Sequence, residues 1–212
     1  MKYRSIGIIG NGEKENSGFY GYNNDYLIAV NGGSKNCYNS GITPDIIIGD
    51  IDSLPLKILN YFIKKRIRII PFSKDKDKTD TEIAIDEALR LKPEEINFIC
   101  MSGKRPDHAL ANIFLMEKIV IHGIRARILS KKYTIELVNK HIQIKGKKGD
   151  IVSMLSLSEK STGITLKGFK YNLINSKLER RKSLGISNVM EKQKAEIIVK
   201  KGFILVIHIK SK

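Results

Sequence analysis

In the first 130 residues, short apolar runs alternate with segments of helical periodicity, and this alternation constrains the fold more than any other feature. The runs are five or six residues long and rich in β-branched side chains, as in Ile46-Ile47-Ile48. Continuous apolar runs of this kind are typical of strands buried on both faces of a parallel sheet. Repeated strand–helix units therefore predict an open, mostly parallel α/β sheet with right-handed crossovers.

The same patterns give approximate element boundaries and a division of the chain. We predict strands at 5–10, 26–31, 45–49, 67–72, 96–101 and 126–130, with helices near 34–40, 55–66, 80–91 and 108–122. Thr79 and Glu82 have the spacing of a capping box at the start of the third helix. Beyond residue 130 the pattern changes to short strands separated by glycine turns, at 134–138, 141–145, 151–157, 163–167, 195–199 and 203–209. The sequence thus predicts an α/β domain at 1–130 and a small all-β sandwich domain at 131–212.

Composition excludes several classes of protein. The net charge is +16, and residues 131–212 hold 19 of the 38 Lys and Arg but only 6 of the 22 Asp and Glu. A basic domain can bind nucleic acid, but few aromatic side chains are available there to stack on bases, so we do not expect a nucleic-acid partner. No run approaches the roughly 18 apolar residues of a membrane span. Cys37 and Cys100 are too few for a disulfide scaffold, so we expect a cytoplasmic protein.

The aspartates are concentrated where the predicted strands end. Seven of the ten lie between Asp45 and Asp86. Asp50 and Asp52 directly follow a predicted strand, at the edge where open α/β sheets bind ligands, and two carboxylates so spaced suit a hard cation such as Mg²⁺. The alternative is that Asp52 or Ser53 only caps the following helix.

A second charged segment, Lys76-Asp77-Lys78-Thr79-Asp80, joins the next predicted strand to a helix. Carboxylates for Mg²⁺ and lysines for phosphate oxygens at a helix N-terminus suit a nucleoside triphosphate. The alternative is a solvated loop in which Thr79 is a helix cap. No G-x-x-x-x-G-K-[ST] motif is present, which excludes a P-loop enzyme.

A third group follows the fifth predicted strand and again opens a helix. Arg105 can grip a phosphate through two hydrogen bonds, and Asp107 adds a fifth acid. His108 is by itself more typical of a structural histidine, and Asn112 lies one turn into the helix. The Gly10-Asn11-Gly12 segment after the first strand is a weak signal for a glycine loop. Three loops with acids and bases at one sheet edge favour a common site.

With these residues in view, the chain resembles the thiamine pyrophosphokinase family. The similar segments, which run in order along nearly the whole chain, are Asn31-Gly32-Gly33, Gly41–Ser53, Lys76–Glu82, Arg105 with Asp107, His108 and Asn112, Gly168–Tyr171 and Gly185–Asn188. The resemblance implies a homodimer with sites shared between subunits, and transfer of pyrophosphate from ATP to thiamine to give thiamine diphosphate and AMP.

The resemblance also implies roles for individual residues. The expected Mg²⁺ and catalytic residues are Asp50, Asp52, Asp77, Asp80 and Asp107. The expected nucleotide-binding residues are Asn11, Lys76, Thr79, Arg105, His108 and Asn112. Ser187 and Asn188 are expected to contact thiamine.

Two positions depart from the family pattern. Asn31 stands where an aspartate is usual, which removes a charge near the site, and Lys104 stands where a second glycine is usual. Two other functions stay open at this point. The Asp50-Ile51-Asp52-Ser53 segment is also similar to the nucleophile loop of haloacid-dehalogenase-type phosphatases, although that loop normally follows the first strand. The basic C-terminal part could instead be a non-catalytic nucleic-acid-binding module.

Overall fold

The computed structural model of this chain describes residues 3–12, 23–50, 52, 54–72, 77–101 and 105–211. By its internal contacts the chain divides into two compact units, Met1–Ser130 and Lys131–Lys212. Within the described ranges, no helix is both long enough and apolar enough to cross a membrane.

The first unit alternates strands with helices. Its strands are β1 (Ser5–Ile9), β2 (Tyr26–Val30), β3 (Ile46–Gly49), β4 (Arg68–Pro71), β5 (Glu95–Ile99) and β6 (Arg125–Leu129), and its helices are α1 (Gly33–Asn39), α2 (Leu56–Lys64), α3 (Asp80–Arg90) and α4 (Pro106–Val120). The predicted elements are all present, with ends within two residues of prediction. The start of α4 at Pro106 differs from the predicted start at residue 108, and it moves Asp107 from the preceding loop into the first helical turn.

The six strands pair in parallel, in the order β6-β5-β1-β2-β3-β4. Every residue of β1 and of β3 is buried, which explains why their sequences are apolar without alternation. After β1 the chain builds the sheet outward through β2, β3 and β4, and it then returns to the opposite side of β1 to form β5. The order therefore reverses between β1 and β5, and open α/β sheets bind ligands at the carboxyl ends of the strands beside such a reversal.

The second unit contains eight strands in two antiparallel sheets. The strands are β7 (Tyr133–Val138), β8 (His141–Lys145), β9 (Ile151–Ser156), β10 (Lys160–Lys167), β11 (Ser176–Glu179), β12 (Asn188–Val189), β13 (Lys194–Ile198) and β14 (Ile204–Ile209). One sheet has the order β12-β9-β14-β7 and the other has the order β11-β10-β13-β8. Side chains from both sheets form one buried cluster, including Met154, Phe169 and Ile197. The predicted α/β fold followed by an all-β sandwich is thus confirmed.

Two short strands of this unit escaped prediction. β11 contributes only Leu178 to the core, and β12 is two residues long, so neither carries an apolar alternation that sequence alone can reveal. The predicted strand at 163–167 also begins earlier, at Lys160, because a register shift between Thr162 and Ile164 lets β10 continue its pairing with β11.

Within the second unit, the buried carboxylate of Asp150 holds the segment that carries Ser211. Asp150 is 2% exposed and accepts hydrogen bonds from His208 Nε2 at 2.7 Å and from Lys147 N at 2.9 Å. The backbone N–H and the hydroxyl of Ser211 donate to its other oxygen, at 2.8 and 2.7 Å. Burial acts to raise the pKa of Asp150, but the hydrogen bonds from Ser211 and Lys147 outweigh burial and hold the pKa well below its ordinary value.

Candidate active site

A cavity of about 810 Å³ opens at the carboxyl ends of the parallel strands. Its walls come from the segments that follow β1, β2, β3 and β5 and from the first turns of α3 and α4. It therefore lies at the reversal of strand order between β1 and β5, and its volume falls in the range of roughly 300–1,000 Å³ typical of small-molecule sites. The lining includes six of the predicted residues: Asn11, Thr79, Asp80, Arg105, His108 and Asn112.

Close backbone packing shapes the wall after β1. A side chain at Gly33 would overlap the carbonyl oxygen of Ile9, so only glycine lets α1 begin this close to the strand. Asn36 Nδ2 then donates to the carbonyl of Gly10 at 2.9 Å and to that of Gly12 at 3.3 Å. Asn36 thus holds the glycine loop in place, a role the sequence did not suggest.

The wall after β2 contains a direct contact with a predicted acid. Asn31 Nδ2 donates to Asp80 Oδ2 at 3.2 Å, and both residues line the cavity. Asn31 has φ of 45°, a left-handed conformation that asparagine tolerates better than most residues. An amide–carboxylate hydrogen bond thus stands at the position where the resemblance led us to expect an aspartate.

Thr79 serves as the cap of α3 as well as lining the cavity. Its hydroxyl accepts a hydrogen bond from Glu82 N at 3.2 Å, as predicted for the first half of a capping box. The Glu82 carboxylate instead contacts Lys118 at 3.0 Å, so the second half of the predicted box is replaced by an ion pair between helices. The cap therefore supports the cavity wall and does not compete with a binding role.

The other predicted acids of the first unit are described but are not among the residues that line the cavity: Asp50, Asp52, Asp77 and Asp107. Asp50 follows β3 and accepts a hydrogen bond from Asp52 N at 3.2 Å, while Asp77 lies three residues before α3. Among the described residues, no group of three or more Asp, Glu, His or Cys side chains is close enough to hold a metal ion. Ser53, Lys76 and Lys104 lie outside the described residues.

Arg105 and Asp107 form a tight exposed pair at the start of α4. Arg105 Nη2 lies 2.6 Å from Asp107 Oδ2, and Arg105 Nε lies 2.9 Å from Oδ1. These hydrogen bonds hold the pKa of Asp107 well below its ordinary value, so its carboxylate is charged at neutral pH. Asn112 is buried one turn further on, with Nδ2 3.4 Å from Met101 Sδ. To bind a phosphate, the Arg105 guanidinium therefore has to release some of its hydrogen bonds to the Asp107 carboxylate or bind both anions together.

The two residues predicted to contact thiamine differ in accessibility. Ser187 is exposed in the second unit, and its N–H donates to Ser153 Oγ at 3.0 Å. Asn188 is buried, and its side chain pairs with the backbone of Tyr171, donating at 2.7 Å and accepting at 3.0 Å. Asn188 thus holds the Tyr171 loop in place, and both Tyr171 and Ile186, the residue before Ser187, are exposed.

The donor chemistry of the cavity fits Mg²⁺ bound together with a nucleotide. Magnesium prefers oxygen ligands, and proteins commonly hold it through one or two carboxylates plus substrate phosphates. Asp80 supplies such a carboxylate within the cavity, and Asp50 and Asp52 follow the neighbouring strand β3. Lys35 and Arg105 add positive charge to the lining for phosphate oxygens.

Comparisons with known proteins agree over nearly the whole chain. A family model described as thiamin pyrophosphokinase, catalytic domain, matches residues 20–128, and one described as thiamin pyrophosphokinase, vitamin B1 binding domain, matches residues 135–204. A thiamine pyrophosphokinase of Bacillus subtilis is 29% identical over 209 residues, covering 96% of this chain and 98% of that protein.

Solved structures give the same result. The crystal structure of thiamine pyrophosphokinase from Bacillus subtilis superposes with a TM-score of 0.87 at 28% identity, over 98% of this chain and 100% of that one. That of the Geobacillus thermodenitrificans protein, at 24% identity, shares the fold with a TM-score of 0.84 over 98% of both chains. On the matches to both of its domain models, the chain belongs to the thiamine pyrophosphokinase family.

Proposed function

We propose that this chain transfers pyrophosphate from ATP to the hydroxyl of thiamine, and that the cavity of the first unit binds the nucleotide. The observation that carries the proposal is the cavity itself, in which six residues predicted from separate motifs meet at the reversal of strand order. Residues 1–130 would then form the catalytic domain and residues 131–212 the thiamine-binding domain.

In this proposal the protein acts by positioning and charge neutralisation. Asp80, with Asp50 and Asp52 at the end of β3, would hold Mg²⁺, which when bound neutralises phosphate charge and polarises the β-phosphoryl group. Arg105 would bind phosphate oxygens, and Asn11, in the glycine loop held by Asn36, would contact the nucleotide. The thiamine hydroxyl would attack the β-phosphorus, and AMP would leave.

We further propose a homodimer in which each site combines the first unit of one subunit with the second unit of its partner. Large exposed apolar side chains support an interface in both units, because contiguous exposed apolar surface commonly marks a protein contact. On α4 these are Leu110 at 56% and Phe114 at 64% exposure. In the second unit Ile174 is 84% exposed and Leu184 is 55% exposed, close in sequence to the segment that carries Ser187.

The two other functions gain no support from these findings. Asp50 follows the third strand of the sheet, whereas the phosphatase loop it resembles normally follows the first. The second unit matches a family model described as a vitamin B1 binding domain, over residues 135–204. The thiols of Cys37 and Cys100 suit the reducing, cytoplasmic setting that we retain as part of the proposal.

A product assay tests the proposal directly. The purified protein is incubated with ATP, Mg²⁺ and thiamine, and the products are separated by chromatography. We expect AMP and thiamine diphosphate in equal amounts, with AMP release dependent on thiamine. Release of ADP or inorganic phosphate in place of AMP, or a trapped phospho-aspartate at Asp50, would overturn the proposal in favour of another phosphoryl transfer.

A further inference from the structure

Four charged side chains form an alternating chain of ion pairs that joins α4 to α3 and to the loop before α3. Lys118 Nζ lies 2.6 Å from Asp86 Oδ1 and 3.0 Å from Glu82 Oε1. Asp86 Oδ2 also accepts a hydrogen bond from Lys78 Nζ at 2.8 Å. The side chains of Lys118, Asp86 and Glu82 are 28%, 26% and 25% exposed. Because these charges are partly shielded and share partners, the network constrains geometry more than an isolated exposed pair does.

Two members of the network, Lys118 and Glu82, lie where a helix dipole favours their charge. Lys118 lies in the last turn of α4, and Glu82 lies in the first turn of α3, in agreement with the dipoles of the two helices. The hydrogen bond to Asp86 raises the pKa of Lys118. Burial acts to raise the pKa of Asp86, but the hydrogen bonds from Lys118 and Lys78 outweigh it and lower that pKa. Both partners are therefore charged at neutral pH.

Two members of the network, Lys78 and Glu82, flank Thr79 and Asp80 in the sequence. Lys78 immediately precedes Thr79 and Asp80, which line the cavity, and Glu82 follows them within the same helical turn. Lys118 itself lies twelve residues after the first residue of α4, or about 18 Å along the helix, so it acts on the cavity only through α3. The ammonium of Lys78 is bound to Asp86, whereas Lys76, the lysine of this loop that is expected to bind nucleotide, lies outside the described residues.

We propose that Lys118 is a positioning residue for pyrophosphate transfer, which anchors the loop at 77–79 and the first turn of α3 through Asp86 and Glu82. The inference rests on the proposed function, since it concerns how Asp80 is presented to the nucleotide. Misplacing a binding group by about 1 Å can cost up to a hundredfold in rate, so loss of this anchor affects catalysis without any contact to substrate.

The test compares four variants of the full-length protein. Lys118→Met removes the charge and keeps most of the unbranched apolar stem, whereas Lys118→Arg retains the charge. Lys78→Met removes the second ion pair of Asp86, at a more exposed position. This variant tests the network if Lys118→Met fails to fold. Lys64→Met is the matched control, because Lys64 is also a basic residue in the last turn of a helix, α2, and is exposed. Thiamine-dependent kcat and KM for ATP are measured, together with amide hydrogen exchange.

We expect Lys118→Met to lower kcat/KM about tenfold, mainly through kcat, and to speed exchange of the Glu82 and Ile83 amides, which donate to Thr79. Lys118→Arg should recover most of both effects, and Lys64→Met should match the wild type. Lys78→Met should speed exchange of the same amides. Unchanged exchange at Glu82 and Ile83, or faster exchange spread evenly over the first unit, would overturn the anchor. If the wild type makes no thiamine diphosphate, the proposed function fails, while the exchange pattern still decides the anchor.

Discussion

Replacing Asn31 by aspartate should strengthen divalent-cation binding to the cavity in the absence of nucleotide. In the wild type the Asn31 amide donates to Asp80 Oδ2 at 3.2 Å, which satisfies that oxygen without a metal. Asn31→Asp would place two carboxylates at this separation. Their repulsion at an effective dielectric of 20 is about 5 kcal/mol. Both side chains are partly exposed, so we expect about 1.5–3 kcal/mol to survive solvent screening.

A bound cation relieves this repulsion, so the dissociation constant for Mg²⁺ should fall roughly tenfold to a hundredfold. Isothermal titration of Mg²⁺ and Mn²⁺ into the nucleotide-free protein measures the change. The matched control is the double variant Asn31→Asp with Asp80→Asn, which swaps the two side chains and so keeps one amide and one carboxylate. Its affinity for Mg²⁺ should be as weak as that of the wild type. A second control, Asn11→Asp, adds an acid elsewhere in the lining and should have a smaller effect. Equal affinities for wild type and Asn31→Asp would refute the reasoning.

Three further outcomes follow from the same structure. Asp50→Asn and Asp80→Asn should each lower turnover by at least about a hundredfold while circular dichroism and the melting temperature stay close to wild type; near-normal rates would exclude their proposed metal role. Asp150→Asn should lower the free energy of unfolding by about 2–4 kcal/mol near neutral pH. The substitution disrupts the buried pair with His208 and puts a donor where Lys147 N needs an acceptor. The control Glu191→Gln, at an exposed position, should change the free energy of unfolding little. Because the pKa of Asp150 is depressed in the folded state, its contribution to stability is present above the unfolded pKa of about 4 and is lost as the pH falls toward the folded value. Chemical denaturation at decreasing pH should therefore show the stabilities of the wild type and Asp150→Asn converging. Mixing an inactive Asp80→Asn chain with an inactive Ser187→Tyr chain should restore roughly a quarter of wild-type activity if sites combine both subunits, and no recovery after verified chain exchange would exclude crossed sites.

The sequence alone determined the elements whose signal is local. The continuous apolar runs of β1 and β3 mark strands buried on both faces, and their position in the order of the chain predicts a parallel sheet. The cap formed by Thr79 was also readable, because its partner lies only three residues away. The same logic explains why β11 and β12 were missed, since each strand carries a single apolar residue and so shows no period.

Only the tertiary structure decided what the individual polar side chains contact. The contact of Asn31 with Asp80 spans 49 residues, that of Lys118 with Glu82 spans 36, and that of Asn188 with Tyr171 spans 17. Such pairs depend on how helices and loops pack against one another, and a polar residue has no periodicity that reveals its partner. Six residues taken from separate motifs therefore line one cavity, whereas packing alone places the Asn188 side chain against the Tyr171 backbone and Lys78 against Asp86.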